Sequence, residues 1–264
     1  MAMALFIDGP ASSMEDLTAQ DSQLLDVASI EGIDVTQKLV LAQDELTLEL
    51  NALLTRLSYV DQLFWLAPQP NLGSVVVTPA LKLWHTFRSL EMVYSDAYNS
   101  QLNDRYAGKR DQFHLSAKWA YETLVAAGIG VASVPVPRAA IPTVTAAAAA
   151  APGTPRPDGT YYVTVAWVNT GGEDGACALP ATITTTGSSL RVQPVGPGGA
   201  PPKTAAGWNV YVGTGPDSMA LQNGSPIAIG QTWLQPATLA AGRPPGPGQR
   251  PSYLKAVPRA IQRG

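Results

Sequence analysis

The sequence predicts an α + β multidomain protein, with an N-terminal helical bundle, then a small antiparallel β-sandwich and an extended C-terminal tail. Apolar residues recur at helical spacing up to about residue 128, and short alternating strand-like segments separated by Gly and Pro follow. With 264 residues the chain is longer than a typical single domain. We therefore expect a helical bundle at 1–131, a Pro/Ala-rich linker at 132–157, a β-sandwich at 158–240 and an extended basic tail at 241–264.

Two polar segments with capping-box spacing indicate where the first helices begin. Thr18–Asp21 precedes a short apolar run that stops at Gly32, and Asp34 is followed by Gln37 three positions later. Behind this second cap, leucines recur every three, four or seven residues over about 35–57, as in an amphipathic helix. They are Leu39, Leu46, Leu50, Leu53, Leu54 and Leu57.

Two further helices follow a Pro/Gly-rich break at 67–73. Thr78 and Pro79 place a cap and a first-turn proline in the favoured order, and one apolar face continues for about six turns. Phe113, Ala117, Ala120, Tyr121 and Leu124 mark the last helix, which Gly128 is expected to close. The first half is thus a bundle of about four helices.

The strand predictions rest on β-branched and aromatic residues between Gly/Pro turns. They are 159–168, 181–186, 190–194, 207–213, 220–222 and 231–234. In 207–213, alternation places Trp208, Val210 and Val212 on one face and Tyr211 on the other. The Pro/Ala composition of 132–157 predicts an extended, semi-rigid connector instead.

The tail holds five basic residues, no acidic residue and few apolar ones, so it cannot form a core by itself. We expect it either to be disordered or to become ordered only against a partner surface, and we favour binding to a partner. The candidate contact residues are Arg243, Arg250, Tyr253, Leu254, Lys255, Val257, Arg259 and Ile261.

Charge is distributed unevenly along the chain. Residues 1–135 carry 16 acidic and 8 basic side chains (net −8), whereas residues 136–264 carry 4 acidic and 9 basic ones (net +5). No dense Lys/Arg cluster predicts nucleic-acid binding. The asymmetry suits head-to-tail contacts between subunits, although two ordinary solvated surfaces would give the same pattern.

The sequence contains no recognisable catalytic, cofactor-binding or metal-binding motif, so we expect no enzyme activity, cofactor or metal site. His85 and His114 lack a partner at metal-ligand spacing on their own helix faces, and Cys177 lies in a loop-like segment. Three carboxylates could in principle form pairs, but their spacing is that of solvated faces. They are Asp104, Asp111 and Glu122. Neither a secretory signal nor a membrane span is apparent, so synthesis and folding in the cytoplasm are expected.

Two parts of the chain resemble proteins of tailed bacteriophages. Residues 78–131, especially Tyr98–Phe113 and Leu124–Gly130, resemble the helical domain of head–tail connector (neck or adaptor) proteins. Gly159–Val168, Gly207–Gly213 and Gln231–Trp233 are similar to the fibronectin-III/immunoglobulin-like modules of phage virion proteins. The small all-helical adaptors lack such a module.

The connector resemblance implies a structural virion protein in the neck, between capsid and tail. It implies a homo-oligomeric ring, commonly twelvefold, docked on the portal protein and joined to tail or neck proteins. An acidic bundle would line a channel through which DNA passes without specific binding, because like charge repels the phosphate backbone. No membrane contact is implied.

Two other functions fit the same residues. The sandwich could decorate the particle or bind host glycans, which exposed Tyr161, Trp167 or Trp233 in a shallow pocket would favour. Alternatively, the chain could be a general oligomeric scaffold or tail-completion protein.

Overall fold

The computed structural model describes residues 4–60, 69–101, 104–147 and 158–255. In these ranges the chain is an α + β protein with five α-helices and three antiparallel sheets. The five helices precede all of the strands in these ranges, as the sequence predicts. The helices are α1 (Met14–Gln20), α2 (Leu24–Glu31), α3 (Val35–Val60), α4 (Pro79–Gln101) and α5 (Ala107–Ala127).

The first helix begins earlier than the sequence predicts. Ser13 caps α1, and its side chain and that of Asp16 form a reciprocal capping box. The box predicted at Thr18–Asp21 is therefore wrong, because these residues form the end of α1. Asp21 lies past the last turn and is buried, and its carboxylate accepts hydrogen bonds from the Tyr94 hydroxyl (2.6 Å) and Lys109 Nζ (3.0 Å).

The other predicted helix ends are confirmed. Gly32 adopts a left-handed conformation (φ 67°) after α2, and Gly128 (φ 98°) ends α5. Asp34 Oδ1 accepts a hydrogen bond from the Gln37 amide at the start of α3. Thr78 lies just before Pro79, the first residue of α4.

Within the described residues, nine strands follow the last α-helix. They are β1 (Ile129–Val131), β2 (Ala140–Ala147), β3 (Gly159–Asn169), β4 (Ala181–Thr185), β5 (Ser189–Val195), β6 (Ala205–Gly213), β7 (Ala220–Leu221), β8 (Trp233–Leu234) and β9 (Ser252–Leu254). All pairings are antiparallel, and the sheet orders are β1-β9, β2-β5-β8 and β4-β3-β6-β7.

The segment predicted as a linker contains a strand. Residues 140–147 form β2, which pairs with β5, while 148–157 lie outside the described residues. Pro142 falls where the register between β2 and β5 shifts, and β2 is at the edge of its sheet. An edge strand with an irregularity tolerates proline, because one missing N–H need not break the ladder. Residues 140–147 are therefore extended, as the composition predicts, but they form a strand of a sheet and not a connector.

Strands from both larger sheets contribute to one apolar core. β3 and β6 of one sheet and β5 and β8 of the other bury side chains in the same cluster. Trp208, Val210 and Val212 belong to this cluster, as the predicted alternation requires. Tyr211 is buried outside it and donates its hydroxyl hydrogen to Asp174.

The chain forms two compact units. The β-rich unit comprises Met1–Asp8 and Ala132–Pro251, and the helical unit comprises Gly9–Val131 and Ser252–Gly264. Met1–Asp8 thus belongs to the β-rich unit, although the helical unit follows it in the sequence. Ser252–Gly264 belongs to the helical unit, although the β-rich unit precedes it. In the β-rich unit the Arg138 amide donates to Asp8 Oδ1 at 2.7 Å. In the helical unit β9 supplies the second strand of the β1-β9 sheet.

A buried histidine joins three parts of the helical unit. His85 on α4 has its Nδ1 2.6 Å from the Ser12 hydroxyl and its Nε2 3.1 Å from the Leu39 carbonyl oxygen. Because a carbonyl oxygen only accepts hydrogen bonds, Nε2 carries the proton and Nδ1 accepts from Ser12. Burial lowers the pKa of His85 below its usual value.

We expect the helical unit to lose stability as pH falls below about 6.5, the ordinary histidine pKa. The unfolded chain then binds a proton that folded His85 resists, so the free energy of unfolding falls by up to ~1.4 kcal/mol per pH unit. The loss starts near the unfolded pKa and ends once pH is below the lowered folded pKa. Urea unfolding followed by circular dichroism at 222 nm, at pH 7.5 and 5.5, measures it.

The matched variants are His85→Gln and His114→Gln. His85→Gln should lose most of the pH dependence, and His114→Gln, which replaces the exposed histidine on α5, is the comparison variant. An equal pH dependence in wild type and His85→Gln would contradict this assignment.

Candidate functional site

The described part of the predicted tail contacts the chain itself. Tyr253 and Leu254 lie in β9, where Tyr253 is paired with Gly130 and Leu254 with Ile129. Arg250, Tyr253 and Lys255 have exposed side chains, and Leu254 is half-buried. The remaining candidates, Val257, Arg259 and Ile261, lie outside the described residues. The expectation that the whole tail needs a partner to order is therefore wrong for residues 241–255.

Arg243 forms an ion pair with a buried carboxylate. Its Nη2 lies 2.6 Å from Asp174 Oδ2, and Asp174 also accepts hydrogen bonds from Tyr211 Oη (2.5 Å) and Asn209 Nδ2 (3.0 Å). Burial, together with the bond to Asp174, raises the pKa of Tyr211. Arg243 thus completes the hydrogen bonding of the buried Asp174 carboxylate. The sequence did not predict this role, because the tail itself contains no acidic residue to pair with Arg243.

The segment around Arg243 is fixed to the β-rich unit along its length, and we call residues 240–250 the closing segment. Ala240 exchanges two hydrogen bonds with the Gln222 side chain, and the Arg243 carbonyl accepts from the Leu221 amide. The buried Gln249 side chain donates to the Val134 carbonyl (2.8 Å) and accepts from the Val136 amide (2.6 Å). Sequence reasoning missed Gln249, because a glutamine within a Gly/Pro-rich segment carries no local signal of burial.

Three adjoining depressions lie on the helical unit, and we call them together the helical groove. One of about 520 Å³ lies between α3 and α4, a second of about 310 Å³ between α3 and α5 over α4, and a third of about 460 Å³ between α3, α5 and β9. The first two share Glu45, Arg88 and Glu91, and the last two share Tyr121. All three depressions lie beside α3, and neighbouring ones share lining residues.

A chain of charged side chains crosses the middle of the groove. Arg88 Nε lies 2.7 Å from Glu45 Oε2, and its Nη1 lies 2.7 Å from Glu91 Oε2. The other oxygen of Glu91 is 2.8 Å from His114 Nδ1. The two carboxylates raise the pKa of Arg88. These bonds connect α3, α4 and α5, and sequence reasoning missed them because Glu91 and His114 lie on different helices.

Large apolar side chains are exposed on two faces of the helical unit. On α5, Leu115 is 65% and Trp119 is 55% exposed, and their i, i+4 spacing places them side by side. On α3, Leu48 is 72% exposed, and Leu41 lies two turns earlier on the same face. Single exposed apolar residues are ordinary, but clustered ones mark contact surfaces.

The arrangement offers little for chemistry. Both oxygens of Glu91 are engaged by Arg88 and His114, and Asp111 pairs with Arg110 at 2.7 Å. Burial raises the pKa of Cys177 to about 11, so its thiol is protonated near neutral pH. Within the described residues no group of three His, Cys, Asp or Glu side chains could hold a metal ion. In the same residues, no helix has the length and apolar character needed to span a bilayer.

Comparison of the chain with protein-family models, with curated proteins and with solved structures gave no match. The groove, the exposed faces and the closing segment are therefore interpreted from the physical chemistry of this chain.

We expect Arg243→Ala to destabilise the β-rich unit by ~1–3 kcal/mol, because buried Asp174 would lose its only cationic partner in the described structure. Tyr211 and Asn209 would still donate to Asp174, which keeps the loss below that of a fully unpaired charge. Urea unfolding monitored by tryptophan fluorescence gives the change.

Arg250→Ala is the control, since the Arg250 side chain is exposed and removal of such a charge typically changes stability by less than ~0.5 kcal/mol. Equal losses in the two variants would show that the Arg243–Asp174 pair does not stabilise the fold.

Proposed function

We propose that this chain is a non-enzymatic structural virion protein that forms an oligomeric ring joining the capsid portal to the tail. The observation that carries the proposal is the pair of exposed apolar faces, Leu115 with Trp119 on α5 and Leu41 with Leu48 on α3. The connector-like sequence at 78–131, which includes α4 and α5, supplies the phage context.

Two different contact faces on one unit favour a ring. When the α5 face of one copy meets the α3 face of the next, the contact is heterologous, and successive copies close into a ring if the rotation allows it. A twofold dimer would instead use one face twice. Exposed tryptophan and leucine are also side chains that contribute strongly at protein interfaces when they become buried.

The charge distribution supports a position around passing DNA. The first half of the sequence is acidic, and several of its basic residues are already paired with acids. Among them are Lys38 with Asp96, Lys82 with Asp16, and Lys109 with Asp21. Such a surface has little free positive charge to hold a phosphate backbone, so DNA would pass without specific binding.

The β-rich unit supports the second part of the resemblance. A three-stranded and a four-stranded antiparallel sheet contribute to one core, as expected of a fibronectin-III or immunoglobulin-like sandwich. We propose that it is such a sandwich, appended to the connector-like helical unit.

The aromatic residues that would have favoured glycan binding do not form an exposed platform. Tyr161, Trp167 and Trp233 are all buried in the core of the β-rich unit. This weakens host-glycan binding through those side chains. Particle decoration and tail completion remain the competing proposals, and the location of the protein on the particle distinguishes all of them.

Immunogold electron microscopy of purified particles tests the location. The neck proposal expects label between the capsid and the tail, at one vertex of each particle. Label spread over the capsid would support decoration, and label at the distal end of the tail would support a tail-completion role. Either result would overturn the neck proposal.

We expect Trp119→Glu and Leu48→Glu each to weaken assembly on purified portal protein. Losing ~2 kcal/mol at a buried interface residue corresponds to about 30-fold weaker binding. The wild-type chain alone should be monomeric or weakly associated, and should form a ring with portal present. Co-sedimentation and negative-stain images measure both states.

Ile30→Glu is the matched control, since Ile30 on α2 is 66% exposed but lies outside the two faces. It should assemble like wild type, and circular dichroism should show all three variants folded. A stable closed dimer of the wild-type chain, or equal assembly by all variants, would contradict the ring and its faces.

A further inference from the structure

The middle of the closing segment lies on the β-rich unit without forming a helix or a strand. We call residues 240–247 the latch. All of them except Pro245 and Gly246 are exposed, and five of the eight are proline or glycine. Because such a stretch buries little apolar surface, polar contacts must hold it in place. Segments with few buried apolar contacts are those that open at the lowest free energy in a folded protein.

Both ends of the latch are anchored in the β-rich unit. Before the latch, Leu239 packs against the core cluster. After it, Gln249 is 1% exposed, and its side chain binds backbone groups of Val134 and Val136. The latch can therefore separate from the unit between two fixed points, which limits the part of the fold that its opening disturbs.

The latch covers the edge of β7, the last strand of the β4-β3-β6-β7 sheet. The Leu221 amide donates to the Arg243 carbonyl oxygen of the latch. The next amide, that of Gln222, donates to the Val210 carbonyl oxygen of β6. Gly242 lies so close to the edge that a Cβ there would clash with the Leu221 backbone. Only glycine fits at this position, so the latch is closely matched to β7.

The other contacts of the latch are polar as well. The Arg243 side chain, which pairs with Asp174, is 52% exposed, so water reaches this ion pair. The Gly246 amide donates a hydrogen bond to the Cys177 sulfur. The two bonds between Ala240 and the Gln222 side chain complete the set. Opening exchanges each of these contacts for a contact with water, which keeps the free-energy cost of opening small.

We propose that the latch opens while the rest of the β-rich unit stays folded, and that this opening uncovers the edge of β7 and the Cys177 thiol. In the closed state the latch occupies the Leu221 N–H, a group that a free edge offers to a strand of another chain. The latch thus controls whether β7 is a free edge. This device lies in the β-rich unit and does not depend on the ring proposal, which rests on two faces of the helical unit.

Hydrogen exchange of the full-length wild-type chain, followed by NMR, tests the local opening. Leu221 and Gln222 are a matched pair, because their adjacent amides make hydrogen bonds of the same length, 2.9 Å. After correction for intrinsic rates, Leu221 should exchange at least ~10-fold faster than Gln222. Low concentrations of urea should leave the Leu221 rate nearly unchanged, since a local opening exposes little surface, but should accelerate Gln222.

Gly242→Ala and Gly246→Ala test the fit of the latch on β7. A Cβ at position 242 must displace the Leu221 backbone, whereas one at position 246 meets no heavy atom closer than 4.0 Å. Gly242→Ala should accelerate Leu221 exchange by ~5- to 150-fold, the factor that corresponds to the usual cost of overpacking. Gly246→Ala should change this rate by less than about threefold.

The single cysteine of the chain gives a second measurement. Reaction of Cys177 with a disulfide reagent at pH 8 should be faster in Gly242→Ala than in wild type or Gly246→Ala. The reason is that burial raises the pKa of this thiol, and an uncovered thiol forms the reactive thiolate more readily. Circular dichroism should show both variants folded, and the wild-type comparison of Leu221 with Gln222 needs no variant.

Three results would contradict the proposal. Equal corrected rates for Leu221 and Gln222, with the same urea dependence, would show that the latch opens only together with the fold. Equal effects of the two alanine substitutions would show that the latch is not fitted to β7. If Gly242→Ala accelerated Leu221 exchange but left the reactivity of Cys177 unchanged, the thiol would not lie under the latch.

Discussion

The β1-β9 pairing is the constraint on which the path of the chain depends. It joins residues about 120 positions apart, and Val131 lies opposite Ser252. The segment that forms most of the β-rich unit therefore starts and ends at neighbouring points of the helical unit. Gln249 makes the corresponding connection within the β-rich unit, where it binds both Val134 and Val136. Closing so long a loop has an entropic cost that grows only slowly with its length, so a few specific contacts can hold the two ends together.

The same pairing shapes the helical groove. Leu254 reaches the depression between α3, α5 and β9 because β9 is aligned on β1, and Ile129 of β1 forms the buried part of the same lining. Gly128 permits this close approach, since a side chain there would meet the Leu254 carbonyl oxygen at 2.7 Å. The groove therefore depends on a glycine with positive φ, on a three-residue strand and on the return of the chain from the β-rich unit.

Elements with strong local patterns could be predicted from the sequence, and elements made by distant contacts could not. The leucine spacing of α3 and the alternation of β3 and β6 gave their positions to within a few residues, because amphipathic periodicity reflects a single buried face. β1 and β9 have three residues each, which is too short for any periodicity. β2 was not predicted, because Pro142 and the alanines that follow it are not typical of a strand.

The candidate site shows the same limit. Tyr253 and Leu254 were selected as apolar residues in a basic tail, and the structure places both in β9. Their tertiary partners could not be read from the tail itself. The Glu91–His114 and Arg243–Asp174 pairs join residues that only the folded chain brings together, and a search for partners on the same helix face overlooks them.

The structure divides the tail into parts with different physical roles. In the closing segment, Arg243 completes the hydrogen bonding of a buried carboxylate and Gln249 satisfies two backbone groups. Through β9 the chain joins the sheet of the helical unit. Removing all of 241–264 would therefore remove parts of both units, so a loss of assembly after that deletion could reflect misfolding. Residues 256–264 come after these contacts, and a change in assembly confined to their removal would report on binding by the segment itself.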